Sequence, residues 1–204
     1  MSFELWLSFI AASSLLCFTP GPTVLLVMGQ SLTHGSKSTI PLVAGVLIGD
    51  VIAMSLSFLG MGVLLSTSAE LFTVLKWLGA AYLVYLGIKT LVSKPVNTEQ
   101  SVIIMKKKSL FWHALVVTAL NPKGIIFFLA FFPLFIDTTR AAIPQMWVMA
   151  VTFLFVSCLS ATCYSFFSGM IKAKVTSKSF QSIFNKISGS LLIGAGTLTA
   201  AIKK

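Results

Sequence analysis

The stretch Phe18-Thr19-Pro20-Gly21-Pro22-Thr23 interrupts a long apolar run near the start of the chain. A second interruption, Asn121-Pro122-Lys123-Gly124, lies inside a later apolar run, and Pro122 follows Pro20 by half the length of the 204-residue chain. Matched helix breakers in the two halves of a membrane protein indicate the binding site of a secondary transporter. We therefore interpret the chain as a carrier built from two related halves.

The composition predicts an integral membrane protein. Hydrophobic residues make up 56% of the chain, charged residues only 10%, and the mean hydropathy is +0.96. A soluble domain needs more polar surface than this to face water. The net charge of +10 does not indicate nucleic acid as a partner, because the basic residues fall between the apolar runs, as the positive-inside rule requires.

Six apolar stretches are each long enough to cross a bilayer, which takes about 20 helical residues. They are residues 5–28, 40–65, 71–92, 110–136, 146–171 and 180–202. The predicted fold is therefore an all-α membrane protein with six transmembrane helices, of which the first and fourth are broken. No extramembrane domain is expected.

The sequence predicts two three-helix repeats, residues 1–92 and 109–204, joined by a basic cytoplasmic linker, residues 93–108. Lys76-Trp77-Leu78-Gly79 in the first repeat is echoed by Lys186-Ile187-Ser188-Gly189 in the second. Three spans per repeat insert the second copy upside down, so the two broken helices should face each other across a pseudo-two-fold axis.

The distribution of basic residues predicts the orientation. The segments after helices one, three and five hold Lys37, Lys89, Lys94, Lys106, Lys107, Lys108, Lys172, Lys174, Lys178 and Lys186. The opposite side holds only Lys76, Arg140, Lys203 and Lys204. Both termini are therefore expected on the non-cytoplasmic side.

The first break should expose backbone groups inside the membrane. Pro20 and Pro22 remove two N–H donors, and Gly21 between them rotates freely. The continuing half-helix begins near Thr23, and its unpaired N–H groups and positive dipole end suit a carboxylate. The alternative is a structural kink relieved by neighbouring Ser and Thr side chains.

The second break adds a cation, since Lys123 follows Asn121 and Pro122 in an otherwise uncharged stretch. A charge at that depth costs about 2.5–3.5 kcal/mol even on insertion scales. Lys123 therefore either binds the substrate carboxylate, pairs with an acid, or snorkels to the interface.

Asp50 is the one acid deep within an apolar run, and Gly45 and Gly49 before it form a small-residue face that lets another helix approach. Its side chain should face the bundle interior. It is the first candidate for proton coupling or for binding a substrate ammonium, although an ion pair with Lys123 is an alternative. The two glycines could instead form a homodimer contact.

These residues together resemble the LysE/RhtB family of bacterial amino-acid exporters. The resemblance rests on Pro-Gly-Pro in helix one, Gly-Asp in helix two, residues 76–87 in helix three and Asn-Pro-Lys opening helix four. It implies export of an amino acid or derivative across the bacterial inner membrane, usually driven by the proton motive force. The family's signature positions fall on Pro20, Gly21, Pro22, Asp50, Asn121, Pro122 and Lys123.

Other functions fit the sequence less well. A membrane thiol-disulfide carrier would need a Cys beside the proline of each half, and only Cys17 near Pro20 qualifies. A metal-ion exporter would need a cluster of ligands within the spans, and an enzyme would need a nucleophile with its base. The sequence thus predicts a transporter without catalytic residues, cofactor or metal, whose partners are an amino acid, protons and lipid.

Overall fold

The computed structural model describes residues 1–19, 21–67, 69–93, 106, 109–137, 139–168 and 177–201. Within these residues the chain is helical, which confirms the all-α prediction. Eight helices follow one another: α1 (Phe3–Phe18), α2 (Pro22–His34), α3 (Thr39–Thr67), α4 (Ala69–Val92), α5 (Leu110–Ala119), α6 (Pro122–Phe131), α7 (Ala142–Phe166) and α8 (Lys178–Ala201). Short 3-10 segments lie at Ser36–Ser38 and Phe132–Phe135.

Both predicted breaks are present. The axes of α1 and α2 differ by 55°, and those of α5 and α6 by 45°. Pro22 and Pro122 are each the first residue of the helix that follows the break. Proline suits that position because it lacks an N–H that would in any case be unpaired there. Pro20, which was predicted to contribute to the first break, lies outside the described residues.

Two helices are long and apolar enough to cross a membrane, at Thr39–Gly60 in α3 and Ala142–Phe166 in α7. If each bent pair counts as one span, the described residues contain up to four. A shorter apolar stretch, Trp77–Val92, lies in α4. The arrangement of six spans in two inverted repeats therefore stays a prediction. Most of the predicted linker lies outside the described residues.

Close helix contacts depend on glycines. A Cβ atom added to Gly49 of α3 would lie 2.7 Å from the Cβ of Thr118 and 2.8 Å from the carbonyl oxygen of Leu115, both on α5. A Cβ added to Gly87 of α4 would lie 2.7 Å from the carbonyl oxygen of Gly189 on α8. The small-residue face of α3 thus packs against another helix of the same chain, as one of the two sequence readings predicted.

A cluster of phenylalanines fills the space between α1, the end of α6 and α7. Phe9 and Phe132 are fully buried and meet edge to face, with ring centroids 5.1 Å apart. Phe128 and Phe153 pack in the same way at 4.8 Å. Aromatic pairs prefer this geometry. The cluster packs one end of the bundle beside the two breaks.

Candidate functional site

The carbonyl groups freed at the end of α1 are bound by side chains of α7. Ser160 Oγ donates to the carbonyl oxygen of Cys17 at 2.8 Å, and Tyr164 Oη donates to that of Phe18 at 2.6 Å. Buried carbonyls need such partners, because no water is available in a bilayer core. This end of the first break is therefore satisfied within the protein.

Lys123 binds the same break from α6. Its Nζ donates to the carbonyl oxygens of Leu16 at 3.0 Å and Thr19 at 3.2 Å. The ammonium thus lies at the C-terminal end of α1, where the helix dipole favours a cation. The residue does not snorkel, and it is joined to the first break by hydrogen bonds.

An ion pair between Lys123 and Asp50 is not formed in this conformation. The salt bridge found among the described residues joins Arg140 Nε to Asp137 Oδ2 at 3.5 Å, in the loop before α7. The carbonyl oxygens of α1 take the place of a counter-ion for Lys123.

Asn121 connects the two breaks. Its Oδ1 accepts a hydrogen bond from the backbone N–H of Lys123 at 3.1 Å and so caps α6. Its Nδ2 donates to Thr23 Oγ1 at 3.4 Å, at the start of α2, and Thr23 Oγ1 lies 3.4 Å from Thr118 Oγ1. Gly21 caps α2 without a side-chain hydrogen bond. The start of α2 is therefore the less satisfied of the two helix beginnings.

Asp50 lies in the middle of α3 and is only 7% exposed. Its Oδ2 accepts a hydrogen bond from Ser157 Oγ of α7 at 2.5 Å. The side chain faces the bundle interior, as its position in an apolar run predicted. A buried carboxylate is costly without a cation, so a ligand or proton that binds here would be held strongly.

The breaks, Asp50 and Lys123 surround one cavity of about 70 Å³. A single water molecule needs about 10–15 Å³ of such space, so several could fit. Lining residues come from α1, α2, α3, α5, α6 and α7: Leu16, Cys17, Thr19, Gly21, Thr23, Val24, Val27, Val46, Asp50, Thr118, Asn121, Lys123, Gly124, Phe153, Ser157, Ser160, Ala161 and Tyr164.

The structure brings together most of the residues that the sequence singled out. Gly21, Thr23, Asp50, Asn121 and Lys123 all line the cavity. Pro22 and Pro122 begin the helices beside it and are not in its lining.

From sequence, six polar residues of α7 could line a path opposite the second predicted span, with none of them singled out: Thr152, Ser157, Ser160, Thr162, Tyr164 and Ser165. Three of the six, Ser157, Ser160 and Tyr164, line the cavity. Their spacing of three and four residues places them on one helix face, which was the available signal. Thr152, which the sequence grouped with them, instead accepts a hydrogen bond from Trp6 Nε1 at 3.0 Å. Only part of the polar pattern on α7 therefore belongs to the cavity.

Hydroxyl groups join α2 and α3 to α7 at the other end of the bundle. Ser165 Oγ lies 2.7 Å from both Ser31 Oγ and Thr39 Oγ1. The cavity is therefore flanked by this hydroxyl cluster near the end of α2 and by the phenylalanine cluster near the end of α6.

The described part of the chain contains no group of three His, Cys, Asp or Glu side chains that could hold a metal ion. Its cysteines, Cys17, Cys158 and Cys163, are free thiols.

Comparison with known proteins gives a consistent result. A model of the LysE type translocator family matches residues 14–201. The homoserine/homoserine lactone efflux protein of Salmonella typhimurium is 32% identical over 204 residues, covering 100% of this chain and 99% of that protein. The leucine efflux protein of Salmonella choleraesuis is 32% identical over 206 residues, covering 96% and 94%. An uncharacterized membrane protein of Vibrio cholerae is 29% identical over 204 residues, covering all of both chains.

No solved structure matches this chain. The matching family and the named relatives point to a transporter rather than an enzyme. Because the family match extends over nearly the whole sequence, this chain belongs to the LysE type translocator family.

Proposed function

We propose that this protein is a secondary active transporter that exports an amino acid or amino-acid derivative from the bacterial cytoplasm across the inner membrane by proton antiport. The observation that carries the proposal is one cavity, at the meeting point of two broken helices, that is lined by both a carboxyl group and an ammonium group. The relatives named as efflux proteins for homoserine and for leucine support amino acids as the substrate class.

Lys123 and the start of α2 are the proposed binding site for the substrate carboxylate. A lysine ammonium has three N–H donors, and two of those on Lys123 are directed to carbonyl oxygens of α1. The third is available to a ligand. A Cβ added to Gly21 would lie 3.9 Å from Lys123 Nζ, so the uncapped beginning of α2 is close to the same point. Helix N–H groups and a cation together suit a carboxylate.

Asp50 is the proposed partner of the substrate ammonium or of the driving proton. A carboxylate accepts about four hydrogen bonds, and Ser157 supplies one here. If the substrate and the proton bind the same carboxyl group alternately, the movement of one out of the cell is coupled to the movement of the other into it. The substrate and the proton then compete for the carboxylate of Asp50.

The proposed architecture is six spans in two inverted repeats, with both termini outside the cytoplasm. Reciprocal packing supports it: α3 packs against α5, and its counterpart α7 packs against α1. The last helices of the two halves, α4 and α8, pack against each other. Rocking of one repeat against the other would open the cavity to each side in turn.

Transport into everted membrane vesicles with an acid interior tests this function. Radiolabelled amino acid should accumulate only while the pH gradient is maintained. The Asp50→Asn variant should lose this accumulation, because its amide cannot carry the proton. The matched control is Glu4→Gln, which removes an exposed acid at the start of α1. Gradient-driven accumulation by Asp50→Asn equal to that of the unmodified protein would remove Asp50 from the mechanism.

A further inference from the structure

A second cavity, of about 40 Å³, lies between α1, α6 and α8 on the other side of Lys123. We infer that this cavity receives the side chain of the transported amino acid and restricts transport to substrates with a neutral, mainly aliphatic side chain. The inference rests on the proposed function, because it assumes an amino acid whose carboxylate lies at Lys123.

The two cavities share part of their walls. Leu16, Thr19 and Lys123 line both of them. Lys123 Nζ binds the carbonyl oxygens of Leu16 and Thr19, so the wall between the cavities is formed by the group proposed to bind the carboxylate. A substrate whose carboxylate binds this ammonium would lie beside the wall that the two cavities share, and we take the second cavity as the place for its side chain once the contacts of Lys123 to Leu16 and Thr19 are released.

The lining of the second cavity is mostly hydrocarbon. Its apolar wall comes from Ala12, Leu15, Phe127, Phe131, Leu191 and Leu192. Its polar side chains are Lys123 and the hydroxyl groups of Thr19 and Ser188, which lie 3.3 Å apart. An aliphatic side chain gains about 0.8 kcal/mol for each methylene buried in such surroundings, and a terminal hydroxyl could bond to Ser188.

Charge excludes basic side chains. The acidic side chains that the structure describes are Glu4, Asp50 and Asp137; Asp50 lines the first cavity, and none of these three lines the second. A lysine or arginine side chain there would be a buried cation without a counter-ion, beside the cation of Lys123, which is strongly unfavourable. An acidic side chain would meet the same apolar wall without hydrogen-bond donors beyond the hydroxyl pair and Lys123.

The test measures selectivity in the same vesicles with radiolabelled alanine, leucine, homoserine and lysine. Ala12→Leu places three more carbons in the wall of the second cavity, and Ala11→Leu makes the same change at an exposed neighbouring position. One missing or extra methylene changes discrimination about 10- to 200-fold in an apolar pocket. We therefore expect Ala12→Leu to lower the leucine-to-alanine transport ratio about tenfold or more, and Ala11→Leu to leave it unchanged.

Ser188→Ala provides a second variant that removes one atom and leaves the packing intact. It should lower the homoserine-to-leucine ratio several-fold, and Ser190→Ala, on an exposed face of the same helix, should not. Size-exclusion chromatography in detergent establishes that each variant folds.

Three outcomes decide the matter. Transport of leucine over lysine by more than tenfold, with the ratios shifted as stated, supports the inference. Equal transport of lysine and leucine, or ratios that do not differ between each variant and its control, overturns it while the proposed function stands. If the unmodified protein transports none of the four amino acids, the proposed function itself fails.

Discussion

Replacing Tyr164 by Phe should destabilise the protein through the first helix break. Tyr164 is 7% exposed, and its Oη donates to the carbonyl oxygen of Phe18 at 2.6 Å. The substitution keeps the ring, whose centroid lies 6.0 Å from that of Phe18, and removes only the donor. In the apolar surroundings of a micelle, an acceptor left without its partner costs about 1–3 kcal/mol, more than the net contribution of about 0.5–1.5 kcal/mol expected of a hydrogen bond that water can replace.

The measurement is thermal unfolding in detergent micelles. For a chain of 150–250 residues, 1 kcal/mol corresponds to about 2–4 °C in Tm, so the shift should be several degrees. The matched control is Tyr85→Phe on α4, which removes a hydroxyl from a side chain that is 54% exposed. Its effect should stay within about 0.5 kcal/mol.

The double variant Ser160→Ala/Tyr164→Phe tests whether the two donors act together. Ser160→Ala removes the donor to the neighbouring carbonyl of Cys17, so the two donors belong to one network at the end of α1. The free-energy changes of such neighbours should not add, with a coupling of about 0.5 kcal/mol or more. If Tyr164→Phe unfolds at the same temperature as Tyr85→Phe, the side chains of α7 do not satisfy the break, and the reasoning about both carbonyls is wrong.

Two further perturbations follow from the packing and from the loop before α7. Gly49→Ala should lower the free energy of unfolding by about 1–3 kcal/mol, because the added Cβ lies 2.7 Å from the Cβ of Thr118 and α5 must move. The comparison is Gly35→Ala, measured by the same thermal unfolding. Gly35 has a positive φ and open space around it, so that substitution reports backbone strain without a packing clash. Hydrogen bonds from Thr139 lower the pKa of Asp137, so its contribution is present above about pH 4 and is lost as the pH falls through the folded-state value. Asp137→Asn should remove that part of the acid dependence of Tm, and an unchanged acid dependence would contradict it.

Much of the site could be predicted because its residues are anomalous where they stand. A proline, an acid or a lysine inside an apolar run has few purely structural explanations, which is why Gly21, Asp50, Asn121 and Lys123 were found from sequence. The breaks could be predicted for the same reason. What remained open was the contact that each residue makes, since Lys123 had several possible partners and the sequence does not rank them.

The polar residues of α7, which the sequence did not rank, have ordinary chemistry. Ser and Thr in an apolar helix often bond the carbonyl four residues earlier, so residue type alone does not rank Ser157 and Ser160 above the other polar residues of α7. Their role depends on the rotation of α7 about its axis, which is set by tertiary packing. From sequence, Phe127, Phe128 and Phe131 of α6 fit either a lipid-facing stripe or a packed core, because both surroundings are apolar in a bilayer.

The two breaks are unequal, and the inequality bears on where a substrate carboxylate would bind. At the start of α6, Asn121 accepts the hydrogen bond from the backbone of Lys123, so the helix uses its own cap. At the start of α2, Gly21 has no side chain with which to do this. Gly21 and Asn121 occupy the same position, the N-cap, in the two breaks, and only Asn121 has a side chain that can cap its helix. A Cβ built on Gly21 would lie 3.9 Å from Lys123 Nζ, so the uncapped beginning of α2 and the ammonium are neighbours. Under the proposed function, a substrate carboxylate is therefore expected at the start of α2.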